Sequence, residues 1–381
     1  MHYLDHAATT PVLPEVRDAV TAALTEDFGN PSSVHEFGRR ARSVVEAARE
    51  RVAAAIGASP SEIYFTAGGT EADNLALKGA ASKLRGSGNH IVTTTFEHHA
   101  VLETVDHLER NGYGATFVGV GAKGVVDPKH VAGAVQSSTI LASVMAVNNE
   151  IGTVQPLAAV CAEVKAVNPN TLVHTDAVQA LGNIPVDVGS WGVDLAAFSA
   201  HKLGGPKGVG CLYVRSGVPV EPVIHGGGHE RGLRSGTLNV PGIAGFGTAA
   251  EIAAREAHEK AERVAKLRDR LLTGIRTVVP DVVVNGDLEL RSPNNLNVAF
   301  PGAEGETLLL LLDGAGIACS SGSACQSGAL DPSHVLLALG TPRELAEASL
   351  RFSFGRSSTD ADVDAVLEAL PKIVAKARAA A

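Results

Sequence analysis

The sequence is poor in cysteine, in positive charge and in long apolar runs, and each shortage removes a class of protein. Four of its 381 residues are cysteine: Cys161, Cys211, Cys319 and Cys325. Four thiols in a chain of this length do not make a disulfide framework. The opening residues Met1-His2-Tyr3-Leu4-Asp5 lack a basic region followed by an apolar stretch, so no secretory signal is expected. The expectation is a cytoplasmic protein with reduced thiols, in which any special cysteine is special for its chemistry. Lys and Arg number 32 against 41 Asp and Glu, a net charge of −9. That balance argues against a nucleic-acid binder held through phosphate contacts. The apolar runs, such as 140–147 and 308–312, are too short to cross a bilayer, and no membrane partner is expected. No repeat of solenoid period occurs.

What remains is an ordinary globular composition, 45% hydrophobic and 19% charged, with length for two or three domains. Glycine is plentiful, 41 residues, and clusters after apolar runs at Gly68-Gly69, Gly204-Gly205 and Gly226-Gly227-Gly228. Such clusters mark strand-to-loop turns where backbone approaches a ligand closely. Continuous apolar segments read as strands at 63–65, 90–94, 115–118, 141–147, 172–175, 195–199 and 209–214. Helical patterns at 34–56, 71–84, 100–110 and 157–167 separate them. This alternation implies an α/β domain, residues 14–250, with a parallel sheet covered on both faces. A long charged helix over 243–279, stopped by Pro280, leads into shorter strands at 282–285, 295–299 and 350–353, with helices at 305–313 and 333–339. A last helix opens at Thr359-Asp360-Ala361-Asp362. Residues 251–381, completed by 1–13, read as a smaller α+β domain.

Four segments could carry chemistry. Asp194 to Pro206 delivers Ser199, His201 and Lys202 to the carboxyl end of a strand, where open α/β sheets bind ligands. A lysine there is either an activated amine or an ordinary surface residue. Another strand ends in Asp176, which suits a partner for a pyridine nitrogen beside a Schiff-base lysine, and equally suits a helix N-cap. The turn Thr66-Ala67-Gly68-Gly69-Thr70 before a helix offers free N–H groups to an anion. It is neither a Walker loop nor a G-x-G-x-x-G fingerprint, so a dinucleotide is not expected. Finally, Ala318 to Gly328 is small and polar, which makes Cys325 an exposed thiol, whereas Cys319 follows an apolar pair and Cys161 and Cys211 read as core. The Cys319–Cys325 spacing is too wide for a zinc knuckle, and His225 with His229 lacks the further ligands a metal needs.

These segments stand in one order with Asp5-His6-Ala7-Ala8-Thr9-Thr10, Gly29-Asn30-Pro31-Ser32-Ser33, Asn148-Asn149-Glu150-Ile151-Gly152, Arg234-Ser235-Gly236-Thr237 and Ser320-Ser321-Gly322-Ser323-Ala324-Cys325. Together they resemble the NifS/IscS-like cysteine desulfurases of the class V aminotransferase superfamily, in the short-loop branch called group I. The resemblance covers nearly the whole chain. It implies an aspartate-aminotransferase-like fold, PLP fold type I, with a mostly parallel seven-stranded sheet between helices and a smaller α+β domain that carries the cysteine loop. It implies a pyridoxal 5′-phosphate enzyme that takes sulfur from L-cysteine, releases alanine and leaves a persulfide on Cys325. Lys202 would hold the cofactor and act as base. Asp176 would pair with the ring nitrogen and Gln179 with the ring oxygen, and His98, rather than its neighbour His99, would stack on the ring. Thr70, Ser199 and His201 would hold the phosphate with the Gly69 backbone helping, Thr237 would reach the phosphate of the other subunit of a homodimer, and Asn149 and Ala200 would also be cofactor-binding. Asn149 and Arg351 would fix the substrate carboxylate, with Arg356 as the other candidate for that fork.

Further implications are sulfur supply to iron–sulfur cluster assembly and to tRNA thiolation, and a transient [2Fe–2S] cluster held through the Cys325 persulfide. Longer relatives dock a cluster scaffold through a further C-terminal segment. This chain stops at Ala381, so sulfur acceptors other than such a scaffold, including apo-proteins directly, are part of the expectation. A selenocysteine lyase or cysteine sulfinate desulfinase of the same fold is the alternative activity, and the Cys325 loop discriminates against it. A non-catalytic relay subunit would lack Lys202 or Cys325, and both are present.

Overall fold

The computed structural model describes residues 1–321 and 332–380. Cys325, the expected sulfur acceptor and cluster ligand, lies outside the described residues. The chain enters as β1 (His2–Tyr3) and then builds a seven-stranded sheet from β2 (Ile63–Thr66), β3 (His90–Thr94), β4 (Gly114–Val118), β5 (Thr139–Ser143), β6 (Leu172–Asp176), β7 (Leu195–Ser199) and β8 (Gly210–Val214). Their order is β2-β8-β7-β6-β5-β3-β4. β8 runs antiparallel to both neighbours and the other ladders are parallel, so β8 alone is reversed. The strand ends after β2, β3, β5, β6 and β7 therefore open on one edge of the sheet, where an α/β sheet places its ligands.

The strand residues alternate between two apolar layers, as the period of a strand requires. Ile91, Leu141, Leu172, Leu195 and Ala197 face a cluster with the helices Gly69–Leu84 and His99–Arg110. Val92, Ala142, Val173, Ala196 and Phe198 face the other side, against helices that include Glu36–Ile56 and Leu157–Val167. Both faces are covered, which is why the central strands read as unbroken apolar runs. β4 lies at the edge and is correspondingly more exposed. The run 141–147 leaves the ladder after Ser143, yet Val144 and Ala146 still donate to the carbonyls of His174 and Asp176. The segment thus stays against β6 until Asn148 turns it: Asn148 Oδ1 accepts from the N–H groups of Glu150 and Ile151 at 2.9 and 3.0 Å.

A 39-residue helix, Val240–Val278, about 58 Å long, buries its first half in the large-sheet core and its second half in a separate cluster. It runs unbroken through residue 250. That second cluster packs on β9 (Val283–Val284), β10 (Asn295–Ala299), β11 (Ile317–Ala318), β12 (Ser320–Ser321) and β13 (Ser349–Ser353), of which β12-β13-β10-β9 form an antiparallel sheet. β1 pairs in parallel with β11, and Asp5 bridges to Ser353, so the N-terminus is built into this second unit. No helix among the described residues is long and apolar enough to cross a membrane.

One buried ion pair ties this frame to the loop before the long helix. Arg49 donates to both Glu230 oxygens, at 2.9 and 2.8 Å, and to the Ile63 carbonyl at 2.8 Å. Glu230 also accepts from the Phe65 N–H at 2.7 Å. Glu230 and Arg231 hold positive φ angles, 45° and 54°, that this anchoring maintains. Glu230→Ala leaves the buried Arg49 with only the half-exposed Glu46 carboxylate, 3.0 Å from its Nε, and is expected to lower unfolding free energy by about 2–4 kcal/mol, read from denaturant melts.

Candidate active site

The sheet edge gathers chemistry because several strands end there. The turn after β2 starts the helix Gly69–Leu84, whose first N–H groups have no helical partner and can meet an anion. Gly69 is needed for the fit: a Cβ there would come within 2.6 Å of Val178 Cγ2. Thr70 follows on the same turn. After β3, His98 caps the helix His99–Arg110, and its Nδ1 accepts from the Ala100 N–H at 3.1 Å. That bond fixes the tautomer with hydrogen on Nε2. β6 ends in Asp176, whose Oδ1 accepts from Val178 N–H at 2.9 Å. Gln179 follows and donates from Nε2 to the Ala7 carbonyl at 2.9 Å. β7 ends in Ser199, and a single 3-10 turn, Ala200–Lys202, presents the lysine.

Gly69, Thr70, His98, Asn149, Asp176, Gln179, Ser199, His201, Lys202 and Arg351 line one cavity of about 310 Å³. Lys202 Nζ donates to the carbonyls of Ala7 and Ala8 at 2.6 and 2.7 Å. Arg351, from β13, enters from the other unit. Its guanidinium donates to the Asn149 carbonyl at 2.9 Å and pairs with Asp5 at 2.8 Å. Three expected residues stand elsewhere. Ala200 is buried and Thr237 exposed, neither of them in the cavity lining, and Arg356 lies on the surface paired with Glu15 and Glu256. Of the doubled histidines, His98 lines the cavity, while the ring of His99 lies 4.5 Å from that of His334.

Burial sets the electrostatics. It pushes Asp176 up, opposed first by the neighbouring His98. It pushes His98 down, opposed by the Asp176 charge. His201 falls to about 4 through burial, helped by the charge of Lys202. The thiols of Cys161 and Cys319 are pushed up to about 12 by burial, and that of Cys211 is raised further, so none of the three is a ready nucleophile.

Sequence reasoning missed the second rank of acids. Asp73, Glu97 and Glu150 are buried beside the cavity residues. Burial raises Glu97 to about 8 and Glu150 to about 7. Asp73 stands three residues after Thr70, on the same helix face, and that spacing was the available signal. Among the described residues no group of three or more His, Cys, Asp or Glu is set to hold a metal ion.

The cavity suits a planar, phosphorylated pyridine aldehyde. It offers an amine, a carboxylate, an imidazole and an anion-binding helix end from different elements, and the buried Asn149 Oδ1 has no hydrogen-bond partner. Comparison with known proteins agrees. Residues 2–366 match the family described as aminotransferase class-V. The chain is 48% identical over 381 residues to cysteine desulfurase IscS of Clostridium botulinum (strain Hall), covering 99% of this chain and 95% of the relative. A solved NifS-like protein superposes with a TM-score of 0.93 at 43% identity, covering 99% of this chain and all of that one. SspA in complex with cysteine superposes with a TM-score of 0.82 at 34% identity, covering 93% and 99%. Class-V aminotransferases are pyridoxal-phosphate enzymes. The match in sequence from end to end, and in the fold that carries it, makes this chain a member of the class-V aminotransferase family, within its IscS/NifS-like cysteine desulfurases.

Proposed function

We propose that the chain is a pyridoxal-phosphate cysteine desulfurase that converts L-cysteine to L-alanine and leaves the sulfur as a persulfide on Cys325. The observation that carries this reading is the convergence of Lys202, Asp176, His98 and Arg351 on one cavity. Lys202 would hold the cofactor through its amine, with Asp176 at the ring nitrogen, Gln179 at the ring oxygen and His98 against the ring face. Thr70, Ser199, His201 and the Gly69 N–H would take the phosphate. When bound, the group supplies an electron sink beside the substrate carbon.

The chain's own residues do the rest. Arg351 and Asn149 hold the substrate carboxylate, for which Arg351 gives up its Asp5 partner. The Lys202 amine takes the proton from the substrate carbon and returns it when alanine forms. The Cys325 thiolate attacks the substrate sulfur, so one C–S bond breaks and one S–S bond forms. Thr237, which is exposed, would reach the phosphate of a second copy of the chain in a homodimer. The division into a large unit (14–250) and a smaller one (1–13 with 251–381), a cytoplasmic setting, and sulfur delivery toward iron–sulfur assembly or tRNA thiolation complete the reading. The test is product analysis: protein loaded with pyridoxal 5′-phosphate, given L-cysteine and a reductant, should release alanine and sulfide in equal amounts. A preference for selenocysteine or cysteine sulfinate over cysteine would favour the sister activities instead.

A further inference from the structure

We propose that Asp73 is a positioning residue that works as a neutral carboxylic acid against His174, and so adds no second carboxylate charge beside Asp176. This inference rests on the reading of the cavity as the cofactor site.

The geometry comes first. Asp73 lines the cavity one helical step from Thr70 and is 1% exposed. Its Oδ1 has no hydrogen-bond partner and lies 3.4 Å from His174 Nε2, which is also unpartnered. The other ring nitrogen of His174 is 2.8 Å from Ser143 Oγ. His174 and Asp176 are two residues apart on β6, so both project to the sheet face covered by the helix that carries Asp73, about 7 Å apart. The titratable groups around this face are Asp73 from that helix, His174 and Asp176 from β6, Glu97 and His98 from the turn after β3, and Lys202 from the turn after β7.

Three protonation patterns would satisfy the Asp73–His174 contact: an ion pair, an ionised acid accepting from the Nε2–H of a neutral imidazole, or a neutral acid donating to the Nε2 of a neutral imidazole. Burial disfavours the first two, each of which leaves a charge on an Asp73 that is 1% exposed. Asp73 is pushed well above the usual carboxylate range, by burial first and then by Asp176 and Glu97, and His174 is pushed down to about 3. In the neutral-acid pattern Ser143 Oγ accepts from His174 Nδ1–H, which turns the Nε2 lone pair toward the acid hydrogen of Asp73. Burial raises Asp176 too, but there the rise is opposed by His98, by the Val178 N–H that its Oδ1 accepts and by Lys202, whereas the charges near Asp73 all add to its rise. The charge therefore rests at the residue assigned to the ring nitrogen. An ionised Asp73 would add a second negative charge to the group that already includes Asp176, and a unit charge about 7–10 Å away at an effective dielectric near 20 raises proton affinities by about 1–2 pH units.

The test compares wild type with Asp73→Asn by infrared difference spectroscopy near pH 7.5, a readout that needs no cofactor. The expected result is loss of a protonated-carboxyl C=O band; loss of a carboxylate band overturns the proposal. His174→Gln, which keeps a neutral partner, should shift that band without replacing it by a carboxylate band, and its replacement overturns the proposal as well. In cofactor-loaded protein, Asp73→Asn should move the pH midpoint of the visible absorption by less than about 0.3 unit, whereas a shift of about 1 unit or more is what an ionised Asp73 requires. A protein that takes up no pyridoxal 5′-phosphate would sink the proposed function, while the infrared band would still report on Asp73.

Discussion

Lys202→Ala is expected to yield a folded protein that forms alanine from L-cysteine at least about 10³-fold more slowly than wild type. The reason lies in what no neighbour can replace. Lys202 is the amine set at the mouth of β7 by the turn Ala200–Lys202, with its Nζ held between the Ala7 and Ala8 carbonyls. His201, next in the chain, is held neutral with a value near 4 and is paired toward Thr9, so it is no substitute for a covalent amine. The variant should also lose the yellow colour on dialysis, because the phosphate contacts alone must then retain the cofactor. Far-ultraviolet circular dichroism separates this from misfolding. Retention of a tenth or more of the wild-type rate would remove Lys202 from the central role.

Asp176→Asn is expected to lower turnover by about 10²–10³-fold with the cofactor still bound. Asparagine keeps the shape and can still accept from the Val178 N–H, but it removes the charge that would hold a proton on the ring nitrogen. A second signature follows from the same charge. Burial lowers the pKa of His98 and Asp176 opposes that fall, so removing the Asp176 charge should lower His98 further. A proton on His98 would then be lost at lower pH, and any limb of the kcat/KM profile that reports His98 should move toward acid. A rate loss without that displacement would point to disturbed packing.

Much of this site was legible because local chemistry dictated it. Ser199, His201, Lys202 and Asp176 follow apolar strands, and carboxyl ends of strands in such a sheet share one edge by construction. The strands of the large sheet were readable because helices cover both faces, which leaves unbroken apolar runs. Reversal of β8 was not readable, since an apolar run carries no direction. Helix starts were displaced by a few residues where a side chain set the cap: His35 accepts from the Gly38 N–H, so the helix read from Val34 starts at Glu36. What stayed hidden were pairings across the chain. Asp5 with Arg351 joins residues 346 apart, and Arg49 with Glu230 joins residues 181 apart. Nothing in the local sequence distinguishes these charges from solvated ones. Asp73 was hidden for a related reason: a single acid in a helix reads as a surface residue until packing buries it against β6.

The central claim is that sulfur passes to Cys325 after the Lys202 site has prepared the substrate. The most direct measurement is alanine and sulfide release from L-cysteine, with a reductant present, by wild type and by Cys325→Ala loaded with equal cofactor. Wild type is expected to release both, and the variant to keep its yellow colour but release neither. A variant that desulfurates cysteine as fast as wild type would contradict the central claim, and would turn attention to selenocysteine and cysteine sulfinate as substrates.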